Sequence, residues 1–180
     1  EVYPDMAIFG KALGNGYPIT AVLGTREIMQ SAQSTFISST FWTERIGPTA
    51  SIKTLEVMEK IKSWETITSR GLNLRKSIQK LADKYSLKIK HNGIPSLGSY
   101  SFISENSNKY KTYITQEMLK QNFLASTCCY ISIAHTDSII KEYIDILDPI
   151  FSTISKCEDG MSIDKLLEVP QAHTGFRRLN

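Results

Sequence analysis

Cysteine is scarce in this 180-residue chain, and the little there is has no spacing that carries chemistry. Cys128, Cys129 and Cys157 are odd in number and form neither a disulfide framework nor a metal-ligand interval. The adjacent Cys128 and Cys129 sit in an apolar run and read as buried thiols of a reducing, cytoplasmic setting. No apolar run approaches the roughly 18 residues of a membrane span, so no membrane partner is expected. Neither sign of charge is concentrated. Twenty-one Lys and Arg against 18 Asp and Glu leave +3, interleaved along the chain, without the basic stripe that nucleic acid requires. The three histidines, His91, His135 and His173, lack partners for a Ser-His-Asp arrangement or a metal cluster, and no metal is expected. With 41% hydrophobic and 22% charged residues, the composition is that of a globular protein of one domain or slightly more.

Against these absences one segment stands out, Pro4-Asp5-Met6-Ala7-Ile8-Phe9-Gly10-Lys11-Ala12-Leu13-Gly14-Asn15-Gly16-Tyr17-Pro18. Met6 to Phe9 predicts a short buried strand bounded by Pro4 and Gly10. Lys11 follows at once, in a loop with three glycines that ends on Pro18. Glycine lets the backbone turn tightly and approach a ligand, and proline fixes the exit. A strand-end lysine held this way presents a positioned amine, which is what attack on a carbonyl needs.

The rest of the chain reads as alternating elements. Ile19 to Leu23 predicts a second buried strand, with Thr25 capping a short helix through Met29. Ser31 to Thr43 is a Ser/Thr-rich loop. Pro48 suits the first turn of a helix, with Ile46, Ala50, Val57, Met58 and Ile61 as its core-facing stripe. A second helix near Trp64 carries Ile67, Gly71, Leu74, Ile78, Leu81 and Tyr85 on one face; Gly71 lies where a missing side chain permits close packing. Strands follow from Leu87 and from Leu97 to Ile103, with His91 in the turn between them. After a polar turn over Glu105 to Lys109 come a helix bearing Tyr113 and Met118, one or two strands between Phe123 and Ala134, and a long helix from Ile140 to Ile154. Thr136 or Asp137 suits the N-cap of that helix, which makes His135 a structural residue. The expected domains are 1–85, 86–160 as a small α+β unit, and a tail over 161–180.

Asp5 to Pro18, continued by Ile19-Thr20-Ala21-Val22-Leu23-Gly24 and Arg26-Glu27-Ile28-Met29, resembles the lysine segment of class III aminotransferases, close to the glutamate-1-semialdehyde aminomutases. The resemblance implies the α/β architecture of a fold-type-I pyridoxal-phosphate (PLP) transferase: the end of the large-domain sheet, a long helical link, and a small α+β C-terminal domain. It makes Lys11 the Schiff-base lysine and PLP the cofactor of an amino-group transfer. Asn15 departs from the family, where a third glycine is common, yet Asn tolerates the same backbone angles.

In this family a Thr lies four residues before an Asn-Pro pair and donates to the PLP phosphate across a homodimer interface. Counting back from Gly47-Pro48 gives Thr43, with Thr40 the alternative if the loop is longer; Gly47 replaces the usual Asn. Trp42 and Arg45 of the same loop are candidate substrate contacts, as is Glu44, with surface ion pairing the other reading of the two charges. The family's Asp for the pyridine nitrogen, its phosphate loop and its ring-stacking aromatic lie upstream of the lysine strand, and this sequence contains none of them. The chain is therefore expected to be a C-terminal piece of the enzyme and inactive alone. Thr127 to Ile133 has no Arg to clamp an α-carboxylate, and only Arg177 and Arg178 occur late. That points to an aminomutase-like branch or a substrate without that carboxylate; a catalytically incompetent scaffold relative is the remaining alternative.

Overall fold

The structure is a computed structural model and describes residues 2–173 and Gly175. Arg177 and Arg178 lie outside the described residues. The chain divides into two compact units, Glu1–Ser63 and Trp64–Asn180.

The first unit opens with β1 (Met6–Phe9) and β2 (Ala21–Gly24), an antiparallel pair in which Met6 faces Gly24 and Phe9 faces Ala21. A short helix α1 (Arg26–Gln30) follows, then a 3-10 turn over Ser31–Ser34 and an irregular loop. The unit closes with α2 (Ile46–Ile61). The strands stand where the apolar runs predict them, but they are not buried. Ile8 is 69% exposed and Leu23 62%, because a two-stranded ribbon has no second layer to cover its faces. The stripe expected on α2 is also displaced. Ile46, Val57 and Ile61 are exposed, while the buried line runs through Gly47 and Ser51. Small residues line that face because the chain packs closely there, as described below.

The second unit has its own core. Helix α3 (Ser63–Lys84) leads into a three-stranded antiparallel sheet of β3 (Ile89–Asn92), β4 (Leu97–Phe102) and β5 (Cys128–Tyr130), with β4 in the middle. Helix α4 (Ser107–Lys120) lies between β4 and β5 in sequence, and α5 (Asp137–Glu158) follows. The α3 stripe is buried as its periodicity predicts, through Leu74, Ile78 and Leu81. It meets Tyr100 and Phe102 of β4, Tyr110, Ile114 and Met118 of α4, and Leu147, Phe151 and Ile154 of α5 in one cluster. Phe102 packs edge-on to Tyr110 at 5.4 Å between ring centres and lies 5.5 Å from Phe151. Each such buried side chain contributes about 1.5–3 kcal/mol.

Gly71 does what its place on the stripe predicts. A Cβ there would stand 2.1 Å from the Pro95 carbonyl oxygen, so α3 touches the β3–β4 turn directly. Thr136 caps α5, its hydroxyl accepting from the Ile139 N–H. Two expectations need correction. Cys128 is exposed, because strand alternation turns it to the face opposite Cys129. His91 lies on β3 opposite Tyr100, not in a turn, since the hairpin places its bend at Gly93–Ser96.

Candidate functional site

The candidate residues all lie in the first unit, on the loop between β1 and β2 and on the loop leading into α2. Lys11 begins a 3-10 turn over Lys11–Leu13. The Leu13 N–H donates to the Gly10 carbonyl at 3.0 Å, and both Gly14 and Asn15 N–H groups donate to the Lys11 carbonyl at 3.1 Å. This folding requires glycine at position 14, where a Cβ would fall 2.2 Å from the Tyr17 carbonyl oxygen and 2.7 Å from Ile19 Cγ2. Lys11 itself has φ 49°, in the left-handed region, and Asn15 shares it at φ 47°. A side chain held there costs about 1–2 kcal/mol. Lys11 is exposed, and its amine forms no ion pair or hydrogen bond with the described residues.

Gly47 brings the start of α2 against the exit of this loop. A Cβ at Gly47 would meet the Pro18 carbonyl oxygen at 3.1 Å and Ile19 Cβ at 3.2 Å. The glycine that departs from the expected Asn-Pro pair is thus the residue that permits the approach. Thr40 to Thr43 form the turn just before the helix, with the Glu44 N–H donating to the Phe41 carbonyl at 3.2 Å. The hydroxyls of Thr40 and Thr43 have no hydrogen-bond partner among the described residues, and both threonines are exposed. Trp42 is 66% exposed beside them. Arg45 is exposed, and its carbonyl accepts from the Thr49 N–H and hydroxyl at 3.0 and 2.7 Å.

The Glu44 side chain serves the start of α2. Its carboxylate accepts from the Gly47 N–H at 3.1 Å and from the Ile46 N–H, covering the first amides of α2. A carboxylate at a helix N-terminus satisfies orphan donors and opposes the positive end of the dipole. The signal was present in the sequence as an acidic residue just ahead of Ile-Gly-Pro. In the second unit, His135 accepts at Nδ1 from the Ser132 N–H at 2.9 Å, the structural role its position predicts. Among the described residues no group of His, Cys, Asp and Glu could hold a metal ion, and no helix is long and apolar enough to cross a membrane.

Known proteins are similar to this chain over most of its length. A curated relative, the 3-aminobutyryl-CoA aminotransferase of Cloacimonas acidaminovorans (strain Evry), is 27% identical over 86% of this chain and 39% of its own length. The glutamate-1-semialdehyde 2,1-aminomutase of Methanocaldococcus jannaschii is 30% identical over 83% of this chain and 39% of its own. The chain thus spans about two-fifths of the length of the relatives it matches. Among solved structures, the FumI protein of Sphingopyxis sp. MTA144, in its PLP internal aldimine form, superposes with a TM-score of 0.79. That match covers 92% of this chain and 41% of that one, at 24% identity. The likeness bears out the α/β fold-type-I architecture read from the sequence. Residues 1–154 match the family described as aminotransferase class-III, and the chain belongs to that family.

Proposed function

We propose that this chain is the C-terminal part of a PLP-dependent enzyme that transfers an amino group, and that Lys11 is its cofactor lysine. The observation that carries the reading is the Lys11 loop: an amine without a partner among the described residues, at the end of a strand, on a backbone that glycines fold tightly and that holds the lysine at positive φ. The donor set fits the cofactor. Lys11 Nζ would attach its carbonyl carbon, and the unpartnered hydroxyl of Thr43, or of Thr40, would donate to its phosphate. PLP supplies an electron sink for the bond-breaking step.

The chain's own residues supply position and proton transfer. Once displaced by the substrate amine, the Lys11 amine would be free to carry the proton between the substrate carbon that bears the nitrogen and C4′ of the cofactor. The close contact of Gly47 with Pro18 and Ile19 holds the start of α2 against the lysine loop. The Thr43 contact acts across a homodimer interface, as the family's does, and the enzyme is cytoplasmic. Trp42 and Arg45 line the approach of the substrate. For the domains we retain residues 1–85 with the cofactor domain, 86–160 as the small domain, and 161–180 as the tail.

Borohydride reduction of the PLP-loaded parent protein, followed by peptide mass spectrometry, tests this. The pyridoxyl group is expected on the peptide containing Lys11, and a label on any other lysine overturns the assignment. An intramolecular transfer, as in an aminomutase, is favoured by the β5 region, where residues 127–133 carry no Arg for an α-carboxylate. Product formation from a single substrate, without an amino acceptor, distinguishes it from a transaminase.

A further inference from the structure

The core of the second unit contains two polar atoms without protein partners at one small cavity. His91 on β3 and Tyr100 on β4 are directly opposed in the antiparallel register, so their side chains share a face of the sheet. Tyr100 is 3% exposed. Its hydroxyl and His91 Nε2 are both shielded from solvent, and neither has a hydrogen-bond partner in the protein. The Tyr143 hydroxyl is the protein group nearest to serving as a partner and favours the ionised form of Tyr100 as a donor would, but it does not meet hydrogen-bond geometry with Tyr100 and pairs with Cys129 Sγ at 3.6 Å. Native interiors leave such groups unpaired only rarely.

Both residues line the same cavity, which is completed by Gly71, Leu74, Arg75 and Pro95 among others. It leaves about 20 Å³ for the centre of a water-sized sphere. One water requires roughly 10–15 Å³ on that measure, together with two or more polar partners. The occupant must therefore be the size of one water and able to donate and accept. No carboxylate lines the cavity and the Arg75 side chain does, which disfavours a cation. We infer that this cavity is a binding site for a single structural water that bridges His91 Nε2 and the Tyr100 hydroxyl.

The bridge ties the β3–β4 hairpin together beneath the point where α3 grips it from outside. Arg75 donates to the Gly93 carbonyl at 2.8 Å, and Gly71 meets Pro95 in direct contact. The water completes from within what these two residues begin at the edge. This inference is independent of the cofactor assignment.

A crystal structure of the intact chain at a resolution that shows ordered water tests it first. A peak within hydrogen-bonding distance of both His91 Nε2 and the Tyr100 hydroxyl is expected. A cavity without that peak, or a direct bond between the two side chains, overturns the inference. Unfolding of His91→Phe, Tyr100→Phe and the double variant gives a second measure. Each single change should raise the unfolding constant about tenfold, and the double change about tenfold again in total, not hundredfold, because all three break one bridge. Multiplicative effects overturn the inference. If the variants do not fold, the crystal structure of the unaltered chain decides alone.

Discussion

The Gln116 carboxamide hydrogen-bonds the backbone of the C-terminal segment with both of its ends: Oε1 accepts from the Glu168 N–H at 2.8 Å, and Nε2 donates to the Leu166 carbonyl at 3.0 Å. It is one rung of a ladder along α4. Thr112 accepts from the Ala172 N–H at 3.0 Å, Asn108 donates to the Ala172 carbonyl, and Lys120 pairs with Glu168 at 2.6 Å. Residues 108, 112, 116 and 120 are four apart and so lie on one helix face. The segment they hold begins after α5, beyond residue 154 where the family match ends.

Replacing Gln116 with Ala removes both of those backbone hydrogen bonds at once. At about 1 kcal/mol per bond, more where a partner stays buried, the loss is about 2 kcal/mol. Its effect is local. Hydrogen exchange at the Glu168 and Ala172 amides should accelerate, with the amides of β4 unchanged. Unaltered protection of Glu168 would show that the ladder does not hold the segment.

Gly71→Ala sets two magnitudes against each other. Helix propensity alone favours Ala by about 1 kcal/mol. The new methyl would lie 2.1 Å from the Pro95 carbonyl oxygen, and backbone on both sides leaves little room to yield; overpacking of this kind costs about 1–3 kcal/mol. A clash against backbone falls at the upper end of that range, about 3 kcal/mol, so it should win, destabilising the second unit by a net of about 2 kcal/mol and lowering its denaturant midpoint. A stabilised variant would mean that α3 and the β3–β4 turn separate without cost.

His91 makes stability depend on pH. Burial pushes its imidazole below the ordinary value, and the Arg75 guanidinium pushes it further. Arg75 on α3, Tyr100 on β4 and Cys129 on β5 share its cavity. Burial raises both Tyr100 and Cys129, so they stay neutral in this range. The unfolded chain takes up the proton more readily, near pH 6.5. The contribution is therefore complete above about pH 6.5 and is lost as pH falls below it, toward the lowered folded value. Denaturant midpoints should fall with acidification in the unaltered chain, and His91→Gln should flatten that slope. An identical slope in both would exclude His91 as its source.

The sequence was most readable where one residue type has one physical reason to be present. Gly71 on an apolar stripe and Thr136 before a long helix each proved to be what their chemistry implies. Burial was less readable, because it depends on a covering layer: β1 and β2 are apolar strands whose faces stand exposed in this chain, which spans about two-fifths of the length of the relatives it matches. At Glu44 the sequence does not separate helix capping from ligand binding, because both draw on the same carboxylates. The ladder on α4 was invisible, since Asn108, Thr112 and Gln116 look like an ordinary solvated face until the segment returns to them. The cavity at His91 likewise depends on strand register, which the sequence alone left open by several residues.

Strain at Lys11 separates what the fold prefers from what the proposed chemistry needs. At φ 49° a residue with a Cβ is disfavoured and glycine is not. The Gly14 and Asn15 amides both donate to the Lys11 carbonyl, so their exchange reports how firmly this turn is held. Lys11→Gly relieves the strain while Lys11→Ala keeps it, and neither supplies an amine. With a difference of about 1 kcal/mol, exchange at Gly14 and Asn15 should be about fivefold slower in the Gly variant than in the Ala variant. Both variants of the parent protein should fail to retain PLP through borohydride reduction. Equal protection in the two would show that the backbone stores nothing at this position. A slower Gly variant without cofactor would show a lysine kept in a conformation that costs stability, the pattern found where local strain serves a site.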